Sequence, residues 1–149
     1  MSEPTNEPTN DPPAAPWTKP RPLLDPVSTA YWQAAREGRL LVQECPACGH
    51  RQWYPRALCT VCAAEPSWIG CTGRGTVHTF TVIRQNGTPG FVDELPYVVA
   101  MIDLDEGVRV MGNVLDAAVE DVHIGMAVEV VFVPVDDEIA VPQWRPAGA

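Results

Sequence analysis

Four of the five cysteines fall in two Cys-x-x-Cys pairs, Cys45-Pro46-Ala47-Cys48 and Cys59-Thr60-Val61-Cys62, with ten residues between Cys48 and Cys59. One such turn delivers two thiolates, and two turns supply the four soft donors, at about 2.3 Å, of a tetrahedral Zn²⁺. Iron suits the same set of four thiolates. No coordination position stays open, so the metal would hold the fold rather than react. The gap is shorter than the ~15–20 residues usual between such pairs, yet a short hairpin spans it. Disulfides fit poorly, because no basic-then-apolar leader precedes the pairs and cytoplasmic thiols stay reduced. A redox motif would be a single pair in a βαβ setting, which the pattern lacks. Gly49 after the first pair allows the backbone to turn at positive φ. Ala63 stands in the corresponding place after Cys62, which predicts a less regular second knuckle. His50 could ligate, but four thiols already satisfy the ion. Cys71 reads as a buried residue in a connecting strand.

Residues for catalysis are thin. His50, His78 and His123 lie far apart in sequence, and nothing resembles a nucleophile elbow, a phosphate-binding glycine loop or a His-Glu-x-x-His site. Asp103, Asp105 and Glu106 fall where turns are expected, so they read as solvated surface. The chain is expected not to be an enzyme by itself.

The elements that position the cysteines follow from composition and pattern. The 149 residues carry a net charge of −9, 46% of them are hydrophobic, and no apolar run is long enough to span a membrane. A soluble, cytoplasmic protein is expected. The negative charge concentrates after residue 72, where the balance is −8, a distribution that repels phosphate backbones. Residues 1–26 hold eight of the sixteen prolines and repeat Glu-Pro-Thr-Asn, and they read as a disordered tail. A short helix is predicted within 27–38, capped by Ser28 and ended by Gly38, with Tyr31 and Trp32 needing something to pack on. A ribbon unit follows over 39–72, too small to fold on apolar contacts alone. Metal binding of about 10–16 kcal/mol would exceed the ~5–15 kcal/mol stability of a whole domain. Trp53 and Tyr54, between the knuckles, either cover the metal or face a partner.

From residue 73 the texture turns to β. Strands are expected at 75–83, 97–103, 108–114, 126–133 and 139–144, with one or two helical turns over 116–123. Five strands with a short helix between the third and fourth is the order of an OB-fold, a small Greek-key barrel, here over 73–145 with 146–149 as a tail. The loop over 84–94, with Arg84, Pro89, Gly90 and Phe91, is its natural binding loop. The fold class is mostly β.

The ordered motifs resemble a known family. They are Arg39-Leu40, Cys45-Pro46-x-Cys48-Gly49, Pro55-Arg56-x-Leu58-Cys59-x-x-Cys62, Gly73-Arg74-Gly75-Thr76-Val77, Pro96-Tyr97-Val98-Val99-Ala100, Met111-Gly112-Asn113 and Ile124-Gly125-Met126-x-Val128. Together they are similar to the acyl-CoA-associated OB-fold family with a rubredoxin-like zinc ribbon, known as domain of unknown function 35. The resemblance covers residues 30–145. It implies a non-catalytic accessory subunit of thiolase-like, aldolase or hydratase enzymes acting on acyl-CoA, as in fatty-acid or steroid side-chain degradation. It carries the metal ligands onto Cys45, Cys48, Cys59 and Cys62. It would put the ribbon and helix, with Tyr31, Trp32, Trp53 and Tyr54, against the partner. Arg84, Pro89, Gly90 and Phe91 would then lie near the CoA entrance, with acyl-CoA shared between the subunits. Two alternatives are a single-stranded nucleic-acid binder, since ribbons and OB barrels both serve there, and a chain that binds acyl-CoA unaided. Arg74, Arg84 and Arg109 are the few cations the barrel offers to CoA phosphates.

Overall fold

The computed structural model describes residues 16–148. Helix α1 (Thr29–Arg36) leads into β1 (Leu41–Glu44), which is flanked by β2 (Arg51–Gln52) and β3 (Ser67–Gly70) in an antiparallel sheet of order β2-β1-β3. Strands β4 (Arg74–Ile83), β5 (Tyr97–Leu104), β6 (Arg109–Val114), β7 (Ala127–Pro134) and β8 (Ala140–Pro146) close a barrel of order β4-β5-β6-β8-β7. Five antiparallel and parallel joins in that order are the OB barrel expected from the strand sequence.

Helix α1 starts at the expected place by a different device. Ser28 has helical φ and ψ and makes no side-chain cap. Asp25 Oδ1 instead accepts from the Val27 and Ser28 N–H groups at 2.9 and 2.7 Å, satisfying donors that the first turn leaves free. At the other end Gly38, at φ 77°, lets its N–H reach the Ala35 carbonyl while the Arg39 N–H reaches Ala34. That is a Schellman ending, which needs the left-handed glycine.

The barrel has a weak joint, and side chains close it. Strands β6 and β8 share one ladder pair, Val114 with Trp144. Beside it the Asn113 N–H donates to Gln143 Oε1 at 2.6 Å, Gln143 Nε2 donates to Asn113 Oδ1, and Asn113 Nδ2 donates to the Val98 carbonyl. Trp144, 1% exposed, fills the interior so tightly that a Cβ on Gly112 would lie 2.8 Å from its ring. The Met111-Gly112-Asn113 motif is therefore a closure device. Its glycine makes room for the indole and its asparagine ties the strands.

Two further expectations differ from the structure. Residues 116–123 form no helix: Asp116 sits at φ 55°, and one bond from the Asp121 N–H to the Ala118 carbonyl makes a single turn. A left-handed residue cannot seed a right-handed helix, and a few residues cannot offset the cost of nucleation. Of the tail expected to run to residue 26, residues 1–15 lie outside the described residues, whereas 16–26 are tied to two barrel loops, the one before β5 and the one between β7 and β8. Lys19 Nζ lies 2.7 Å from Glu94, and Arg21 bonds Asp136 at 2.7 Å and Glu138 at 2.9 Å. No helix among the described residues is long and apolar enough to cross a membrane.

Candidate functional site

The two knuckles are near copies of each other. The Gly49 N–H donates to the Cys45 carbonyl and the Cys45 N–H to the His50 carbonyl; Ala63 with Cys59, and Cys59 with Ala64, repeat the pattern. Ala63 adopts φ 61° where Gly49 has 75°. The expectation of a less regular second knuckle is thus corrected: the turn is the same, held by alanine in a conformation that costs about 1–2 kcal/mol. The turns aim all four thiols inward, so that the Sγ atoms of Cys45, Cys48, Cys59 and Cys62 lie within 4.8 Å of one another. Cys45 and Cys62 are 3.4 Å apart, and Cys48 and Cys59 3.7 Å. A tetrahedron with metal–sulfur bonds of about 2.3 Å has edges of about 3.8 Å, so the donor set fits an ion of that class. N–H groups of Cys62 and Val61 face Cys59 and draw its thiol down to about 6, while at Cys48 the His50 N–H is outweighed by burial and the neighbouring thiols, which push it up to about 12, so without a metal one sulfur carries the charge for the cluster. His50 stays outside the set, its Nε2 3.1 Å from Thr60 Oγ1.

Two buried glutamines, which the sequence reading passed over, hold the second knuckle to the first. Gln43 Nε2 donates to the Arg56 carbonyl, and the Arg56 N–H donates back to Gln43 Oε1, both at 2.9 Å. Gln52 Nε2 donates to Gln43 Oε1 at 2.8 Å, and Gln52 Oε1 accepts from the Thr60 N–H at 3.0 Å. They substitute for a strand that the 55–60 segment does not form. The available signal was amide side chains inside strands flanked by apolar residues.

The helix and the ribbon loop build a second feature. Tyr31 stacks edge-on with Trp32 at 4.9 Å and lies 6.2 Å from Tyr54, itself 5.6 Å from Trp53. These four line an open groove of about 390 Å³ with Phe91, Tyr97, Val99, Met111, Pro142 and others from the barrel. Trp53 and Tyr54 thus face this groove. Burial pushes the Tyr31 hydroxyl up to about 12, so it stays protonated. Met111 is 54% exposed and Tyr54 37%. Of the loop residues singled out from sequence, only Phe91 reaches the groove, 5.9 Å from Tyr97. Arg84 and Pro89 are exposed elsewhere, and Gly90 is packed under the backbone of Thr18 and Lys19, 2.8 Å from where a Cβ would stand. Tyr97, Val99 and Met111 were missed as lining, although β5 is apolar at successive positions and so on both of its faces.

The histidines stay apart. His78 lies in an exposed cluster with Asp103 and Arg109, and His123 Nδ1 lies 3.0 Å from the Asp121 carbonyl. Burial first, and then the Glu106 charge, push the half-buried Cys71 thiol up to about 12, leaving it protonated and unreactive.

A ribbon with four convergent thiols, packed on a closed five-stranded barrel, defines the class: a zinc-ribbon and OB-fold protein. Residues 32–67 match the ChsH2 rubredoxin-like zinc ribbon domain, and residues 68–133 match the ChsH2 C-terminal OB-fold domain. The chain belongs to this family, domain of unknown function 35. It is 32% identical over 130 residues to a probable enoyl-CoA hydratase alpha subunit of Thermomonospora curvata, a match covering 87% of this chain and 40% of that protein's length. It is 34% identical to a DUF35 domain-containing scaffold protein of Methanocaldococcus jannaschii, covering 74% and 79% of the two chains. A solved structure described as an Ltp2-ChsH2(DUF35) aldolase contains a chain 32% identical that superposes with a TM-score of 0.77, covering 85% of this chain and 99% of that one.

Proposed function

We propose that the chain is a non-catalytic accessory subunit that docks on a thiolase-like, aldolase or hydratase enzyme acting on acyl-CoA, with Zn²⁺ as a structural ion in the ribbon. The carrying observation is the likeness, over nearly the whole of the matched chain, to a protein solved as part of an Ltp2-ChsH2(DUF35) aldolase. The site chemistry agrees. Four thiolates close a zinc site with no open position, and of the three histidines among the described residues His50 alone meets a hydroxyl, that of the exposed Thr60 beside the knuckles, away from the groove. A barrel region with a charge balance of −8 disfavours nucleic acid. The groove is lined without a charged residue, and Lys19, whose Nζ lies 5.1 Å over the Phe91 ring, is paired with Glu94, so CoA phosphates are left to the partner. Fatty-acyl and steroid side-chain CoA thioesters are the substrates this reading assigns to the complex.

The test is purification of the tagged full chain from its native host, with identification of its companions and elemental analysis. One zinc per chain and a stoichiometric thiolase-fold, aldolase or hydratase subunit are expected, with CoA-thioester turnover only when that subunit is present. Recovery of a metal-free, companionless monomer sinks the reading, as does turnover by the chain alone.

A further inference from the structure

The loop between β4 and β5 has little of its own to hold it. Its one regular element is a 3₁₀ turn, Val92–Glu94, with no buried residue. A turn of three residues does not stand alone. On the barrel side, Asn86 Nδ2 donates to the Tyr97 hydroxyl at 2.9 Å, and the Phe91 ring lies 5.9 Å from that of Tyr97. The segment ahead of α1 supplies more. Lys19, the only lysine in the chain, has a side chain 12% exposed. Its Nζ lies 5.4 Å from the Trp17 ring, 5.1 Å from the Phe91 ring and 2.7 Å from a Glu94 oxygen. The backbone of Thr18 and Lys19 lies over Gly90 (φ 87°), so closely that a Cβ there would be 2.8 Å from both. Two residues on, Arg21 holds Asp136 and Glu138 in the β7–β8 turn. Arg36 of α1 donates to the Asp136 carbonyl in the same turn, at 2.9 Å.

An ion pair between exposed side chains contributes little, and salt screens it. Lys19 differs because its side chain is nearly buried. An ammonium taken out of water needs a counter-charge, which Glu94 supplies. Away from water the faces of the two rings also attract it more strongly. One cation thus reaches the turn twice, at Glu94 and at Phe91.

We infer that residues 17–21 form a latch on the β4–β5 loop, with Lys19 as the positioning residue that holds Glu94 and Phe91. With the latch seated, the Phe91 ring stands against Tyr97 and completes one wall of the groove. With it released, the 88–94 turn loses its order and that wall opens. The device turns on a single charge, and loss of that charge releases it. All of its contacts lie within this chain, so it does not depend on the accessory-subunit reading.

The experiment uses the full chain with a lysine-free C-terminal tag. Because Lys19 is the only lysine, an acetylating N-hydroxysuccinimide ester reports its burial, with peptide mass spectrometry locating the label. Acetylation at least tenfold slower in the native chain than in the urea-unfolded chain is expected. Lys19→Gln keeps a polar side chain and removes the charge. In that variant the amides of Phe91, Val92 and Glu94, which donate to the Thr88 and Phe91 carbonyls, should exchange at least tenfold faster than in wild type. The nuclear Overhauser contact between the Phe91 and Tyr97 rings should be lost, while Ala100 and Ile102 in β5 keep their wild-type protection. Native acetylation at the unfolded rate overturns the latch, as do unchanged loop exchange and ring contact in Lys19→Gln. Faster exchange at Ala100 and Ile102 in that variant also overturns it, by showing that Lys19 supports the barrel as a whole and not its loop.

Discussion

At the scale of single residues, the cluster of four thiols depends on side chains outside it. The thiols were legible because Cys-x-x-Cys spacing is local and its geometry follows from one turn. The support was not, because Gln43 and Gln52 act across a loop, on the main chain of Arg56 and Thr60, and no spacing rule encodes that. Gln43→Leu keeps the volume of a buried side chain and leaves the Arg56 N–H and carbonyl without their partner, while Gln52 Nε2 keeps the Leu58 carbonyl at 3.3 Å. Each buried orphan costs about 1–3 kcal/mol, so a loss of about 2–4 kcal/mol is expected, part being recovered as the loop relaxes to water. Denaturant unfolding measures the loss, and release of zinc to a colorimetric chelator should be at least tenfold faster than in wild type. An unchanged release rate would mean that the thiols alone set the second knuckle. Ala63 teaches the same lesson from the other side. Its residue type argued against the left-handed turn, and the turn that brings the four thiols together overrode that propensity.

At the scale of elements, the strands of the barrel were legible to within a residue or two, β4 from its period-2 faces and the others from apolar runs between turn residues. Short pieces were not: β2 has two residues and β3 four, lengths at which no periodicity can register. The 16–26 segment was hidden for another reason. Its composition resembles a disordered chain, and its order comes from ionic contacts to turns more than seventy residues away. Those contacts set a pH dependence. The Arg21 guanidinium, with N–H groups of Glu138 and Ile139, draws the Asp136 carboxyl down from 3.8 to about 2. A carboxyl lowered in the folded chain stabilises the contact above its ordinary value, and loses that contribution as pH falls through the lowered one. The segment should therefore stay attached at neutral pH and loosen from about pH 4 downward. The Arg21 Nε–H resonance reports it, with a midpoint at about 2 that Asp136→Asn abolishes. A midpoint near 3.8, the unperturbed carboxyl, would show that Arg21 does not hold Asp136.

At the scale of the molecule, the proposed zinc and hydrophobic burial would support different parts of one chain. Tyr31 of the helix and Leu40 and Val42 of the ribbon join a continuous core, but most of that core is barrel: Val77, Val98, Ile102, Val110, Val128 and Trp144. The barrel also closes on itself, through β4 with β7 and β6 with β8, without using a ribbon strand. The ribbon has ten strand residues in three pieces and a loop held by glutamines, so little besides the metal opposes its chain entropy. Zinc binding of about 10–16 kcal/mol is large against anything those strands bury, and small changes elsewhere cannot replace it. Chelation should thus unfold the molecule in part. Hydrogen exchange on the zinc-free full chain is expected to expose the amides of Cys45, Gly49, Cys59 and Ala63, while β5 and β8 keep their protection. The groove should fail with the ribbon, because Trp53 and Tyr54 belong to the loop between the knuckles. Partner recovery should then fall with zinc content although the barrel remains folded. Loss of protection in β5 and β8 together with the knuckles would show instead that Tyr31, Leu40 and Val42 couple ribbon and barrel into one cooperative unit, with the ion supporting both.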